Sequence, residues 1–291
     1  MPTSPSLLTL RFDGTLMPLD SPRIMGIVNC TPDSFYDGGR HGSDSSQIQH
    51  ALRLLQQGAD IIDIGGASTR PGATPISPEE EWSRLKPVLQ GIRARAPHAI
   101  VSIDTFHARV AEQALAAGAH MINDVTGGSD PEMWPVVARF NVPYVIMHIQ
   151  GTPATMQNAP SYPDGVVFEV YRSLLHKIEN AREAGVGDVV ADVGFGFGKT
   201  LEQNFSLLHD LQAFHELKVP LLVGVSRKSM VYKALKTTPE DALNGTTALH
   251  AWALDRGAHI LRVHDVKEAA EAIALHRLLN NNNWVEDPTS H

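Results

Sequence analysis

Eight short apolar runs, rich in isoleucine and valine, recur along the chain: IMGIVN (24–29), IIDIGG (61–66), AIVSID (99–104), MINDV (121–125), YVIMHI (144–149), VVADVG (189–194), LLVGVS (221–226) and ILRVHD (260–265). Their near-continuous apolarity suits parallel strands covered on both faces, and the stretches between them carry helical spacing. The joints repeat as well. QGADIIDIGG, AGAHMINDV and RGAHILRVHD each read as helix end, Gly, Ala, polar residue, strand. Gly58, Gly118 and Gly257 fall where a helix would end in a left-handed cap, which glycine adopts cheaply. Ser77-Pro78-Glu79-Glu80 reads as a capping box with Pro in the first turn, and Asp130-Pro131 and Thr238-Pro239 carry similar helix-start punctuation. LLTLRFDGTLMPL (7–19) reads as a hairpin turning at Asp-Gly.

Eight such βα units predict an α/β chain folded as a (β/α)8 TIM barrel, preceded by a short N-terminal β-hairpin. An open doubly wound sheet is the rival, weakened because no GxGxxG turn follows the first run. The expected division is an extension with the hairpin (1–22), the barrel (23–280) and a polar tail (281–291) that frays.

Composition narrows the class. Of the 291 residues, 43% are hydrophobic and 19% charged, which fits a packed globular protein rather than a disordered one. A formal net charge of −8 argues against nucleic acid or an anionic membrane as partner, although a local basic pocket remains open. No apolar run approaches the roughly 20 residues that span a bilayer. The opening MPTSPSLLTLRFDG lacks the pattern of a secretory signal. One cysteine, Cys30, permits no intramolecular disulfide and favours a reducing compartment. A cytoplasmic location is the expectation.

The ends of the apolar runs carry the candidate chemistry: Asn29, Thr69-Arg70, Asp104, Asn123, His148, Asp192, Ser226-Arg227-Lys228, and Arg262 with His264. In a barrel these ends share one rim. Asp104, Asn123 and Asp192 offer acceptors and an amide, suited to a flat heterocycle rich in N–H donors. Arg70, Lys228, Arg262 and His264 offer positive charge and donors for phosphate or carboxylate. Two blander readings stay open: carboxylates that cap the following helices, and solvated rim cations paired with Asp63 and Asp265. NCTPDSFYDGGRHGS and GGASTRPGATPIS are long Gly- and Pro-rich connections of the kind that act as lids. The glycines of DVGFGFGKTLEQN permit close backbone approach to a ligand. Its GxGxGK lacks the Walker spacing, which discounts an ATPase.

Seven stretches, taken in order, resemble the successive signatures of dihydropteroate synthases, the folate-pathway enzymes inhibited by sulfonamide drugs. They are MGIVNCTPDSFYDGG, DIIDIGGASTRPGA, SIDTFHARVAEQALAAGAHMINDVTGG, MHIQGTPATMQ, DVGFGFGKTLEQN, VGVSRKSM and LRVHD. The resemblance implies a (β/α)8 barrel, in agreement with the strand count. It also implies condensation of 6-hydroxymethyl-7,8-dihydropterin diphosphate with 4-aminobenzoate, giving 7,8-dihydropteroate and pyrophosphate, with Mg²⁺ as cofactor and a homodimer as the assembly.

By position in those motifs, Asp104, Asn123, Asp192 and Lys228 would hold the pterin, and Arg262 would stack on its face. Asn29 would bind Mg²⁺ with the diphosphate, aided by Arg262 and His264. Thr69, Arg70 and Pro71 fall in the second loop and Phe35 in the first; with Lys228 and Ser229 they would form the aminobenzoate site. Asp104, Asp192 and Lys228 are the catalytic candidates. Departures from the family pattern are Ala67 for the usual Glu, Val193 for Pro, Tyr36 for a frequent Ser, and Cys30 for an aliphatic residue. The rivals are a methyltetrahydrofolate:corrinoid methyltransferase-like pterin enzyme and a catalytically weak pterin-binding paralogue.

Overall fold

A computed structural model describes residues 8–30, 40–68, 75–152, 155–156 and 160–280, with the backbone alone for 40–45. The chain opens with a hairpin of β1 (Thr9–Phe12) and β2 (Thr15–Pro18). Its turn residues Asp13 and Gly14 have φ of 49° and 78°, the left-handed pair that a two-residue hairpin turn requires. Then follow β3 (Arg23–Asn29), α1 (Arg40–Gln56), β4 (Ile61–Gly65), α2 (Pro78–Arg95), β5 (Ile100–Asp104), α3 (Ala108–Ala116), β6 (Met121–Asp124) and α4 (Met133–Phe140). The second half runs through β7 (Tyr144–Met147), α5 (Val166–Glu183), β8 (Val189–Asp192), α6 (Leu201–His209), β9 (Leu221–Val223), α7 (Ser229–Leu235), α8 (Leu243–Asp255), β10 (Ile260–Val263) and α9 (Val266–Asn280). Strands β3 to β10 pair in parallel and close on themselves, β10 bonding to both β3 and β9. The fold is a (β/α)8 barrel with a separate two-stranded hairpin.

Side chains alternate across each strand, and that parity sorts the barrel into two cores. Ile24, Val28, Ile62, Ile64, Val101, Ile103, Ile122, Tyr144, Ile146, Ala191, Leu261 and Val263 face outward into one cluster with the helices. Met25, Ile61, Met121, Val145, Val190, Leu222 and Ile260 face inward at the bottom of the barrel. The hairpin closes that end, adding Leu10, Phe12 and Leu19 to the inner cluster. Two contacts tie it down: Arg11 N donates to Asp188 Oδ2 at 2.8 Å, and His120 Nε2 lies 3.3 Å from Asp13 Oδ2.

Several strands are shorter than their apolar runs. The last residues of YVIMHI, VVADVG, LLVGVS and ILRVHD leave the ladder and belong to the loops above it. Gly58, Gly118 and Gly257 take φ of 105°, 95° and 81°, as expected of helix-ending residues. Ser77 caps α2 by accepting from Glu80 N at 3.2 Å. The other two helix starts differ from expectation. Asp130 Oδ2 accepts from Ala108 N at 2.8 Å and so serves α3, while α4 begins at Met133. Thr238 Oγ1 accepts from Asp241 N at 3.4 Å within a turn that precedes α8. The polar tail 281–291 lies outside the described residues.

Candidate functional site

Moving up each strand by two residues from the inner apolar layer reaches polar side chains. Ile61 leads to Asp63, Met121 to Asn123, Val190 to Asp192 and Ile260 to Arg262. Asp104 lies level with Asn123 and Gly65 in the strand register. The barrel interior therefore changes from apolar at the hairpin end to ionic at the mouth.

Arg262 organises one side of the mouth. Its Nε donates to Asp63 Oδ2 at 2.7 Å and its Nη2 to Asp104 Oδ2 at 2.7 Å. Asn123 Nδ2 donates to the same Asp63 oxygen at 2.9 Å. Asp63 is fully buried, and its Oδ1 has no hydrogen-bond partner among the described residues. Glycines keep the space open. A Cβ on Gly65 would sit 3.4 Å from Asp104 Cβ, and one on Gly224 would sit 3.6 Å from Lys228 Nζ. Burial works against the Arg262 charge, but Asp63 and Asp104 more than offset it and raise its pKa. Burial lifts Asp104 above the usual carboxylate range, with Arg262 opposing and Asp63 adding to the effect. With two edges of the guanidinium tied down, its flat face remains for stacking.

Lys228 and Asp192 form the other side. Lys228 Nζ donates to Phe195 O at 2.7 Å and lies 4.8 Å from the centre of the Phe197 ring. Burial lowers the lysine to about 8, with Asp192 and Asp104 opposing and Arg262 assisting. Asp192 Oδ1 accepts from Gly194 N at 2.7 Å. Burial raises the Asp192 pKa, offset in part by Lys228. Ser229 follows Lys228 as the first residue of α7 and is half-buried. Asn29 ends β3 with its side chain exposed. Phe35, Thr69, Arg70 and Pro71 lie outside the described residues.

One expectation needs correction. His264 differs from the other groups expected to carry positive charge: burial and then Arg262 push its pKa down to about 4, which leaves the imidazole neutral at pH 7. Its Nδ1 shares a hydrogen bond with Ser226 Oγ at 3.1 Å, and that oxygen also accepts from His264 N. Where the hydroxyl proton points at Nδ1, Nε2–H is the donor His264 offers; in the other tautomer the same oxygen accepts from both His264 N and Nδ1. The rim-cation reading fits Arg227 rather than Arg262. Arg227 grips Asp265 with both ends of its fork at 2.8 Å, and its Nη1 bonds to the carbonyls of Pro239 and Glu240.

Asp63 is a central site residue rather than a partner for rim cations, and its shared parity with Ile61 is the signal for it in the sequence. The helix-capping reading fits Asp130, which accepts from Ala108 N at the start of α3, and Asp124 has a related structural task. Asp124 faces outward, collects Thr126 N, Thr126 Oγ1, Gly128 N and Tyr144 OH, and anchors the loop after β6. His148 accepts from Lys199 and does not join the mouth cluster.

Residues 25–264 match the model of the pterin-binding enzyme family. The dihydropteroate synthase of Escherichia coli (strain K12) is 45% identical over 262 residues, covering 89% of this chain and 92% of the relative. The chain belongs to this family. Among solved structures, Xanthomonas albilineans dihydropteroate synthase with 4-aminobenzoic acid superposes with a TM-score of 0.88 at 43% identity, covering 96% of this chain and 99% of that one. Yersinia pestis dihydropteroate synthase in complex with a sulfonamide drug gives a TM-score of 0.88 at 42% identity, covering 94% and 99%. The ionic mouth is therefore a feature of a pterin-binding barrel.

Proposed function

We propose that the residues gathered at this mouth carry out dihydropteroate synthesis, joining 6-hydroxymethyl-7,8-dihydropterin diphosphate to 4-aminobenzoate with release of pyrophosphate. The observation that carries the reading is the convergence of Asp63, Asp104, Asn123 and Asp192 with Arg262 and Lys228 on one inward-facing set of strand ends. The carboxylates and the amide suit the amino and ring N–H groups of a pterin. Arg262 stacks on the ring while its edges stay bound to Asp63 and Asp104.

The C–O bond between the pterin methylene and the diphosphate breaks, and its electron pair leaves with the phosphate oxygen. Lys228 and Arg262 stabilise that departing charge, and His264 donates from its neutral ring. Asp104 and Asp192 stabilise the electron-poor methylene and the ring that shares its charge. The arylamine nitrogen then forms the new C–N bond, and its proton passes to the departing pyrophosphate or to water. Asn29 offers an oxygen donor at the rim, and Mg²⁺ characteristically combines one or two protein ligands with substrate phosphates and water. Asn29, exposed at the end of β3, would hold Mg²⁺ together with the diphosphate oxygens. When bound it supplies charge neutralisation on the leaving group. Ser229 and Lys228, with Phe35, Thr69, Arg70 and Pro71, make up the aminobenzoate side.

Titration calorimetry with the pterin diphosphate and Mg²⁺, followed by 4-aminobenzoate turnover, tests the reading. Saturable heat and formation of dihydropteroate support it. Binding without turnover would favour the weak paralogue, and methyl transfer to a corrinoid would favour the methyltransferase. A sulfonamide should compete with 4-aminobenzoate. The same reading includes a homodimer and a cytoplasmic location. A second copy would cover the groove of about 420 Å³ between α8 and α9, where Leu275 and Leu279 are 64% and 79% exposed beside Ala251 and Ala272. Light scattering that finds only monomer at micromolar concentration would remove the dimer from the proposal. Among the described residues no helix is long and apolar enough to cross a membrane.

A further inference from the structure

Beneath the glycine-rich loop that follows β8 lies a second buried lysine, which the proposed chemistry does not use. Lys199 is 4% exposed, deeper than Lys228, and no carboxylate is among its hydrogen-bond partners. Its Nζ lies 2.8 Å from Gly194 O, 2.9 Å from Phe197 O, 3.3 Å from His148 O and 3.0 Å from His148 Nδ1. Carbonyl oxygens only accept, and an ammonium brings three donors where a neutral amine brings two. Burial pulls the Lys199 pKa well down, with Asp192 opposing; against that, three carbonyls and an imidazole nitrogen, all acceptors, favour the form that brings three donors. His148 is suited to accept, because burial and then Lys199 push its pKa down to about 2.

The loop that Lys199 grips is wound in an unusual way. Gly194, Gly196 and Gly198 have φ of 72°, 82° and 63°, and Phe195 and Phe197 alternate with them. Its carbonyls consequently turn to opposite sides: those of Gly194 and Phe197 to Lys199, that of Phe195 to Lys228. The loop also presses on the end of β7. A Cβ on Gly194 would fall 1.9 Å from His148 O, and one on Gly198 would fall 2.7 Å from Gln150 O. Asn204 holds the middle, accepting from Gly196 N at 2.7 Å.

We propose that Lys199 is a positioning residue for Lys228: its buried ammonium fixes the glycine-rich loop whose Phe195 carbonyl and Phe197 ring set the Lys228 ammonium at the substrate site. The GxGxGK stretch is thus a clamp on the protein's own backbone. Without Lys199, the carbonyls of Phe197 and His148 would lose this donor and Gly194 O would keep Phe197 N at 3.1 Å; burying acceptors without donors is unfavourable. The inference rests on the assignment of Lys228 to the pterin-diphosphate site.

The test compares Lys199→Ala and Lys199→Met with wild type and with Lys228→Met in steady-state turnover. Both Lys199 variants should lose about a hundredfold in kcat/KM for the pterin diphosphate, the scale of a misplaced catalytic group. In Lys199→Ala, n-propylammonium replaces the deleted atoms and should restore at least about tenfold of the loss, saturably, whereas 1-propanol should restore none. Loss that propylammonium does not relieve, or that 1-propanol relieves equally, overturns the proposal. So does a folded Lys199→Met protein within about threefold of wild type. If neither Lys199 variant folds, Asn204→Ala carries the test, since it loosens the same loop at Gly196 without removing a charge. The same selective loss there supports the clamp, and wild-type kinetics overturn it. Normal turnover in Lys228→Met would sink the site assignment and this inference with it; normal turnover in the Lys199 variants beside a crippled Lys228→Met sinks this inference alone.

Discussion

Replacing Asp63 by alanine tests the ionic floor of the mouth directly. One oxygen of this fully buried carboxylate accepts from Arg262 Nε at 2.7 Å and from Asn123 Nδ2 at 2.9 Å. Removing one member of a buried ion pair costs about 3–5 kcal/mol, because the other charge is left without compensation. Here the lower end applies. Arg262 keeps Asp104 at 2.7 Å, and its side chain is 18% exposed, so water can reach part of the freed guanidinium. A loss of about 3 kcal/mol corresponds to a fall of about 6 °C in melting temperature for a chain of this size. Thermal unfolding followed by circular dichroism measures it. Arg262→Met in the same background removes the uncompensated charge, so the double variant should be less destabilised than the sum of the singles, with a coupling of about 2 kcal/mol. Asp63→Ala should also lower kcat/KM for the pterin diphosphate by about a hundredfold, since Arg262 and Asn123 both lose an anchor. A variant that melts within about 1 °C of wild type and turns over normally would refute the view that Asp63 organises the site.

The other predictions concern charge and backbone. Lys228 is lowered from 10.5 to about 8, so its ammonium is present below that pH and lost above it; kcat/KM should fall as pH rises through about 8, and this limb should vanish in Lys228→Met. His250 is fully buried with both ring nitrogens unpartnered among the described residues, and burial, opposed by Asp265, lowers its pKa to about 4. Between pH 6.5 and 4 the unfolded state binds the proton that the folded state refuses, so stability is lost on acidification at about 1.4 kcal/mol per pH unit. His250→Leu should reduce that slope in denaturant titrations at pH 5 and 7; an unchanged slope would show that His250 does not contribute to it. Gly194→Ala would place a Cβ 1.9 Å from His148 O at a φ of 72°, so it should destabilise the protein and cut turnover; a wild-type melting temperature would contradict the loop geometry.

How much of this site the sequence could reveal depends on strand parity. The apolar runs read as continuous because both faces of each strand are covered, the outer face by helices and the lower inner face by the hairpin-sealed core. Counted in twos from Ile61, Met121, Val190 and Ile260, the same runs place Asp63, Asn123, Asp192 and Arg262 inside. Asp124, one step out of phase, goes to a loop anchor. Asp63 sits in the middle of an apolar run rather than at its end, so position in the run does not mark it as a site residue. Arg227 and Arg262 look equivalent in sequence, yet Arg227 lies in a turn beyond the three-residue β9, at φ 52°, and closes on Asp265.

The protonation state of His264 could not be read from sequence. It depends first on burial, which only the closed barrel creates, and second on Arg262, two residues away in the same run. Lys199 shows the same limit from the other direction: its spacing excluded one phosphate loop, but only the folded coil of left-handed glycines shows that its ligands are backbone carbonyls. Side-chain type and parity determine which groups enter the mouth. The carbonyls and charges that surround each one determine what it can do there, and these come from strands and loops that are remote in the chain.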